Sequence, residues 1–209
     1  MTSFTPADHL GAVSRALATT TRNGEEMRQL TVSRTYDAPP DEVWDALTNA
    51  ERIPRWLLPI TGDLRVGGRF QLEGQAGGEI LACTPPELLQ VTWEYGGGMS
   101  WVDATLSPEG DGSRLELVHT APVPPEMWEQ FGPSAVGLGW ELMLMGVAEH
   151  LADPGFTPPP PGVVDEDHVD YMTTSSAAWG AEDAASGTDP AQAAAAAQRC
   201  LAAYTGQEA

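Results

Sequence analysis

The stretch Thr31–Trp56, TVSRTYDAPPDEVWDALTNAERIPRW, decides the fold: a strand runs into two short amphipathic helices and ends on a tryptophan. Pro39-Pro40-Asp41-Glu42 is a helix start. Proline in the first turn loses no hydrogen bond, and the acids that follow meet the positive end of the helix dipole. Val43, Trp44 and Leu47 give this helix one apolar face. Asn49 caps a second helix predicted over Ala50–Leu57, which Pro54 keeps short or irregular.

Working outward, period-two alternation dominates from Thr61 to Ala121. Phe70 and Leu72 share a face after Gly67-Gly68, and Glu79–Cys83 makes the next strand after Gly77-Gly78. Leu89, Val91, Trp93 and Tyr95 align after the Pro85-Pro86-Glu87 turn. Val102, Ala104 and Leu106 follow Gly96-Gly97-Gly98; a hairpin signal at PEGDGS (108–113) then leads to Leu115, Leu117 and His119. Short strands joined by Gly/Pro turns predict an antiparallel sheet with one buried face. The pattern returns to helical period over Gly132–Leu151, with Val136, Trp140, Met143, Leu144, Val147 and Leu151 on one stripe. A helix this apolar needs a cover, and the sheet is the large partner available.

The ends read differently. Leu10, Val13 and Leu17 at i, i+3, i+7 predict a helix over Pro6–Ala18, the polar TTTRNGEE reads as a linker, and the first strand is placed at Met27–Tyr36. The expected organisation is an N-terminal helical extension (1–27), a sheet-and-helix domain (28–152), a proline-rich linker (153–164) and a C-terminal helical extension (165–209). Tyr171, Met172, Trp179, Leu201 and Tyr204 of the last segment are expected to pack on the domain or to form a homodimer interface.

Composition narrows the function classes. The formal net charge is -20, and from Gln71 onward 21 acidic residues face two arginines, Arg114 and Arg199. Such a surface repels phosphate, so neither nucleic acid nor an anionic membrane is an expected partner. All ten basic residues are arginine, as codon usage in a GC-rich, bacterial genome would produce; Schiff-base and phosphate-loop lysine chemistry is thereby excluded. No apolar run has membrane-spanning length, and MTSFTPADHL lacks the pattern of a signal peptide, so a cytoplasmic location is expected. Cys83 and Cys200 are expected as separate reduced thiols. The acidic run Asp165–Asp170 lacks metal-site spacing and reads as a helix start. No catalytic triad, metal site or cofactor motif is present to name.

The residues 33–56, DLRVGGRFQLEG (63–74), PPELLQVTWEY (85–95), SPEGDGSRLELVHT (107–120) and GWELMLMGVAEHL (139–151) together resemble the START/Bet v 1-like (SRPBCC) superfamily. The branch is that related to the activator of heat-shock protein 90 ATPase. The resemblance covers about 120 residues, outside the two ends, and implies an α+β helix-grip fold: a curved antiparallel sheet wrapped around a long helix, closed by two short helices. It further implies a cavity. On strand parity the expected lining is Phe70, Leu72, Trp93, Tyr95, Leu117 and His119, with Trp56 at the mouth and Trp140, Met143, Leu144 and Val147 opposite. Arg69 and Glu94 are predicted to face outward. The function so implied is binding of a small hydrophobic or aromatic molecule, with His119 as its hydrogen-bonding group. The alternatives are a polyketide cyclase or aromatase-like enzyme, and a chaperone-regulator-like interaction module. Catalysis is the less favoured of these classes, since no catalytic residue can be named.

Overall fold

In the computed structural model, residues 6–159 and 166–206 are described. The elements run α1 (Pro6–Gly11), β1 (Val13–Arg22), β2 (Glu25–Tyr36), α2 (Pro40–Thr48), a 3-10 turn (Ile53–Arg55), β3 (Ile60–Gly62), β4 (Arg69–Leu72), β5 (Gly77–Thr84), β6 (Leu88–Tyr95), β7 (Gly98–Glu109), β8 (Gly112–Ala121), α3 (Pro125–Phe131), α4 (Ser134–Ala152), α5 (Glu166–Ala185) and α6 (Pro190–Thr205). The eight strands form one curved antiparallel sheet in the order β1-β2-β8-β7-β6-β5-β4-β3. This is an α+β helix-grip fold. Contacts divide the chain into two compact units: 33–121 with 143–158, and 1–32 with 122–142 and 159–209. Strand β2 and helix α4 each run from one unit into the other.

The sheet-rich unit is built on the predicted alternation. Val91 pairs with Val102, which pairs in turn with His119; Leu89 pairs with Ala104, and Ala104 with Leu117. Directly opposed residues share a face, so Val91, Val102, Leu106, Leu115, Leu117 and His119 form one continuous buried surface. The register shifts between Ile80 and Ala82, a bulge that leaves Leu81 exposed where plain alternation expects regular pairing. The second half of α4 belongs to this unit. Tyr36, buried on β2, donates its hydroxyl to the Leu144 carbonyl at 3.1 Å. Gly146 lets the 3-10 turn come close: a Cβ there would lie 2.6 Å from the Trp56 carbonyl oxygen.

The predicted helix over Ala50–Leu57 is reduced to three residues of 3-10 turn, in keeping with Pro54. The arginine and glutamate predicted to face outward do so: Arg69 bonds Glu94 at 2.6 Å on the solvent side, and that guanidinium holds the Glu94 carboxyl below its usual range. Such an exposed pair contributes about 0–1 kcal/mol.

The other unit corrects the reading of the N-terminus. The helix expected over Pro6–Ala18 stops at Gly11, and Val13–Arg22 is a strand. Asn23 and Gly24, at φ 54° and 85°, turn β1 back onto β2 as a hairpin, so the stretch read as a linker is a turn. The same three apolar residues fit helical spacing, but Asn-Gly favours the left-handed conformation of a type I′ turn, and pairing with β2 prevails. A further helix, α3, precedes α4 and was not anticipated. Of the expected linker, residues 160–164 lie outside the described residues, as does Asp165 of the acidic run; Glu166 and Asp167 occupy the first turn of α5.

Helices α5 and α6 pack within this unit. Tyr171, Met172 and Trp179 are buried, Leu201 is half-buried, and Tyr204 donates its hydroxyl to the Ala135 carbonyl. Trp179 takes the room left by Gly137, where a Cβ would meet the indole at 2.3 Å. At the centre, Glu141 on α4 is fully buried and carries a bidentate ion pair: Arg15 Nε donates to Oε1 at 2.6 Å, and the second guanidinium nitrogen donates to Oε2 at 2.7 Å. Ser175 and Tyr171 hydroxyls add bonds to Oε2 at 2.9 and 3.3 Å. Arg15 lies over the Trp179 ring, 6.0 Å from its centroid.

Removing one partner of a buried pair strands the other's charge. Arg15→Met is therefore expected to cost about 3–5 kcal/mol in urea denaturation, whereas Arg15→Met combined with Glu141→Leu recovers most of that loss. A single-variant loss below about 1 kcal/mol would mean that the carboxylate reaches water and the network is not a buried one.

Candidate functional site

One buried face of the sheet-rich unit brings several of the predicted site residues together. Phe70 on β4 and Trp93 on β6 meet with ring centroids 6.1 Å apart and planes tilted by 46°, a favourable arrangement for two aromatic quadrupoles. Gly78 permits this approach: a Cβ there would lie 1.9 Å from the Thr92 carbonyl oxygen and 3.0 Å from the Phe70 ring. Phe70, Leu72 and Leu117 are buried, while Trp93 is only half-buried.

His119 is buried on this face, 7% exposed. Ser100, beside it on β7, donates its hydroxyl to the Trp93 carbonyl at 3.0 Å. Ser100 Oγ also lies 2.7 Å from His119 Nε2, a hydrogen bond whose direction depends on the histidine tautomer. Burial pushes the His119 pKa down to about 4, so the ring is neutral at pH 7. A polar pair, linked to the backbone of the half-buried tryptophan, is thus set into an apolar surface.

The remaining predicted residues fall elsewhere in these surroundings. Trp56 is buried, but its indole donates to the Ala46 carbonyl at 2.9 Å, which fixes it at the junction of α2, the 3-10 turn and α4. On α4, Leu144 and Val147 are buried and Met143 is half-buried. Tyr95 is 62% exposed, because β6 has already run into the turn that pairs Tyr95 with Gly98. Trp140 is buried but belongs to the other compact unit.

Sequence reasoning missed Ser100, the partner that sets the state of His119. Its signal was present: two positions before Val102 on one strand, it shares that residue's face. It also left His150 unassigned. That side chain is 1% exposed, and Arg52, itself paired with Asp45 and Glu42, donates from Nε to His150 Nε2 at 3.2 Å. Burial and the adjacent Arg52 charge push the His150 pKa down.

The pH dependence follows in sign. Between 6.5 and about 4 the unfolded chain protonates position 119 while the folded chain does not. Stability is therefore fully expressed above pH 6.5 and declines as pH falls towards 4, by about 3 kcal/mol at most from this group. His150 acts in the same direction. Urea midpoints at pH 7 and pH 4.5 should differ less in His119→Gln than in the wild type. An unchanged difference would show that His119 titrates as it does in the unfolded chain.

CalU16 from Micromonospora echinospora is 36% identical; its crystal structure matches with a TM-score of 0.67, over 83% of this chain and 99% of that one. The solution NMR structure of CalU16 gives a TM-score of 0.68 over 85% and 97% of the two chains. Protein MLL2253 from Mesorhizobium loti is 26% identical over 60% of this chain and 97% of its own, with a TM-score of 0.53. DynU16, described as a putative protein in the dynemicin biosynthetic locus, shares the fold at 21% identity and a TM-score of 0.53, over 60% of this chain and 48% of its own. No curated protein matches the chain. The family model for Activator of Hsp90 ATPase homolog 1-like protein matches residues 37–152, more than half of the sequence, and the chain belongs to that family.

Proposed function

We propose that the sheet-rich unit binds a small hydrophobic or aromatic molecule against the Phe70–Trp93 surface, with His119 as its hydrogen-bonding group. The observation that carries this reading is the His119–Ser100 pair, a neutral polar pair whose hydroxyl bonds the backbone of Trp93. Flat aromatic walls suit an apolar ring, and one oriented polar group gives such a ligand its direction. Leu72 and Leu117 extend the surface, and the α4 residues Met143, Leu144 and Val147 are the helical contribution from the same unit.

The chemistry favours binding over a cyclase-like reaction. A general base works best with a pKa near the working pH. His119, at about 4, is a weak base and a sound hydrogen-bonding group. The ligand is the partner this reading requires, with no cofactor to assist it.

Native mass spectrometry of the purified protein, followed by organic extraction, tests for a retained molecule. Titration with the neutral fluorophore N-phenyl-1-naphthylamine tests the surface directly. Saturable binding is expected, weakened at least about tenfold by Trp93→Ala and by His119→Ala in proteins that keep the wild-type circular dichroism. A clean apo mass with no saturable fluorophore binding would defeat the reading, as would binding indifferent to both substitutions.

A further inference from the structure

The other compact unit carries a cleft. It has a volume of about 290 Å³ and is lined by Leu17, Ala18 and Thr19 of β1, Arg28 of β2, Trp128 of α3, and Ser186 just beyond α5. The Arg28 guanidinium lies over the Trp128 ring, 4.5 Å from its centroid. The indole itself is held in place: its Nε1 donates to Asp183 Oδ1 at 3.1 Å, and Thr188 donates to the same oxygen at 2.9 Å. Asp183 is buried, so Trp128 is a fixed platform for the arginine.

Arg28 differs from several other cations of this acidic chain. Arg15, Arg52, Arg65 and Arg69 are each paired with a carboxylate, and Arg199 caps the carbonyls of Glu129 and Gln130. Arg28 is half-buried and has, among the described residues, no carboxylate partner. Stacking occupies one face of a guanidinium and leaves its N–H edge to a planar, bidentate acceptor.

We propose that this cleft binds a small organic carboxylate, its anionic end on Arg28 and its carbon body along Leu17 and Ala18. Three features select that class. The guanidinium edge matches a carboxylate's two oxygens. The apolar strand surface favours a ligand with a hydrocarbon part over a bare inorganic anion. The net charge of -20 penalises each further negative charge, so a monoanion is preferred to a phosphate dianion. The volume is at the small end for ligand sites, which limits the body to about one ring. Thr19 and Ser186 also line the cleft, and the Ser186 hydroxyl donates to the Asp183 carbonyl at 2.8 Å.

Benzoate is the probe, with the Trp128 indole N–H resonance, assigned through Trp128→Phe, as the reporter. The full chain is expected to show a saturable shift with a Kd of about 1 mM, weaker at high salt. Arg28→Gln should weaken binding at least about tenfold. Ala18→Glu, at an exposed position on β1, should do the same by setting a carboxylate of the protein's own beside Arg28. Benzyl alcohol, equal in size and uncharged, should leave the resonance unshifted. Absence of a saturable shift, binding unchanged in both variants, or an equal response to benzyl alcohol would each overturn the proposal.

Discussion

Glu141 is a fully buried carboxylate on α4, a helix rich in apolar residues. A buried charge of this kind is tolerated only when it is paired and its remaining lone pairs are satisfied. Arg15 of β1 and the hydroxyls of Tyr171 and Ser175 on α5 meet that demand together. Segments that are remote in sequence are therefore bound to α4 by one electrostatic requirement. They are not appendages in the energetic sense: deleting either would strand a carboxylate in the interior. The match to CalU16 is in keeping with this, since it spans 83% of the chain and extends well beyond residues 37–152.

The sheet-rich unit solves a different problem. Its buried surface is largely apolar, and among its buried polar groups His119 is kept neutral. His119 Nε2 and Ser100 Oγ share a hydrogen bond, and Ser100 donates its hydroxyl to the Trp93 carbonyl. Where the Glu141 network neutralises charge by pairing, the His119–Ser100 pair avoids charge altogether. The first arrangement confers rigidity. The second leaves a neutral hydrogen-bonding group next to an aromatic surface, which is what recognition of an apolar molecule requires.

Much of this was legible in the sequence because local patterns agreed with tertiary ones. Pro39-Pro40 begins α2 as expected, and parity along β4, β6, β7 and β8 placed Phe70, Leu72, Trp93, Leu117 and His119 on one face. Parity failed as a guide where strands end or bulge: Tyr95 enters a turn, and Leu81 is the extra residue of a bulge. The N-terminus was misread because Leu10, Val13 and Leu17 satisfy helical spacing, whereas the pairing that makes Val13–Arg22 a strand involves β2 and leaves little local trace beyond Asn23-Gly24. Glu141 looked like an interruption of an apolar run. Its role depends on partners 126 and 34 positions away, and no window of local sequence contains them.

The two candidate ligand surfaces differ in a way that bears on how the protein could work. One is largely apolar with a neutral polar point; the other is a small cleft with a cation on an indole. Their chemistries do not overlap: a neutral ring finds no advantage at Arg28, and a carboxylate is penalised on the surface that keeps His119 uncharged. Helix α4 runs through both units, its buried stretch anchored by Glu141 in one and by the Leu144 carbonyl in the other. Because the two proposals rest on separate sets of side chains, substitutions at Arg28 and at Trp93 are expected to act on different ligand classes, so that affinities for an anionic and a neutral ring test them separately.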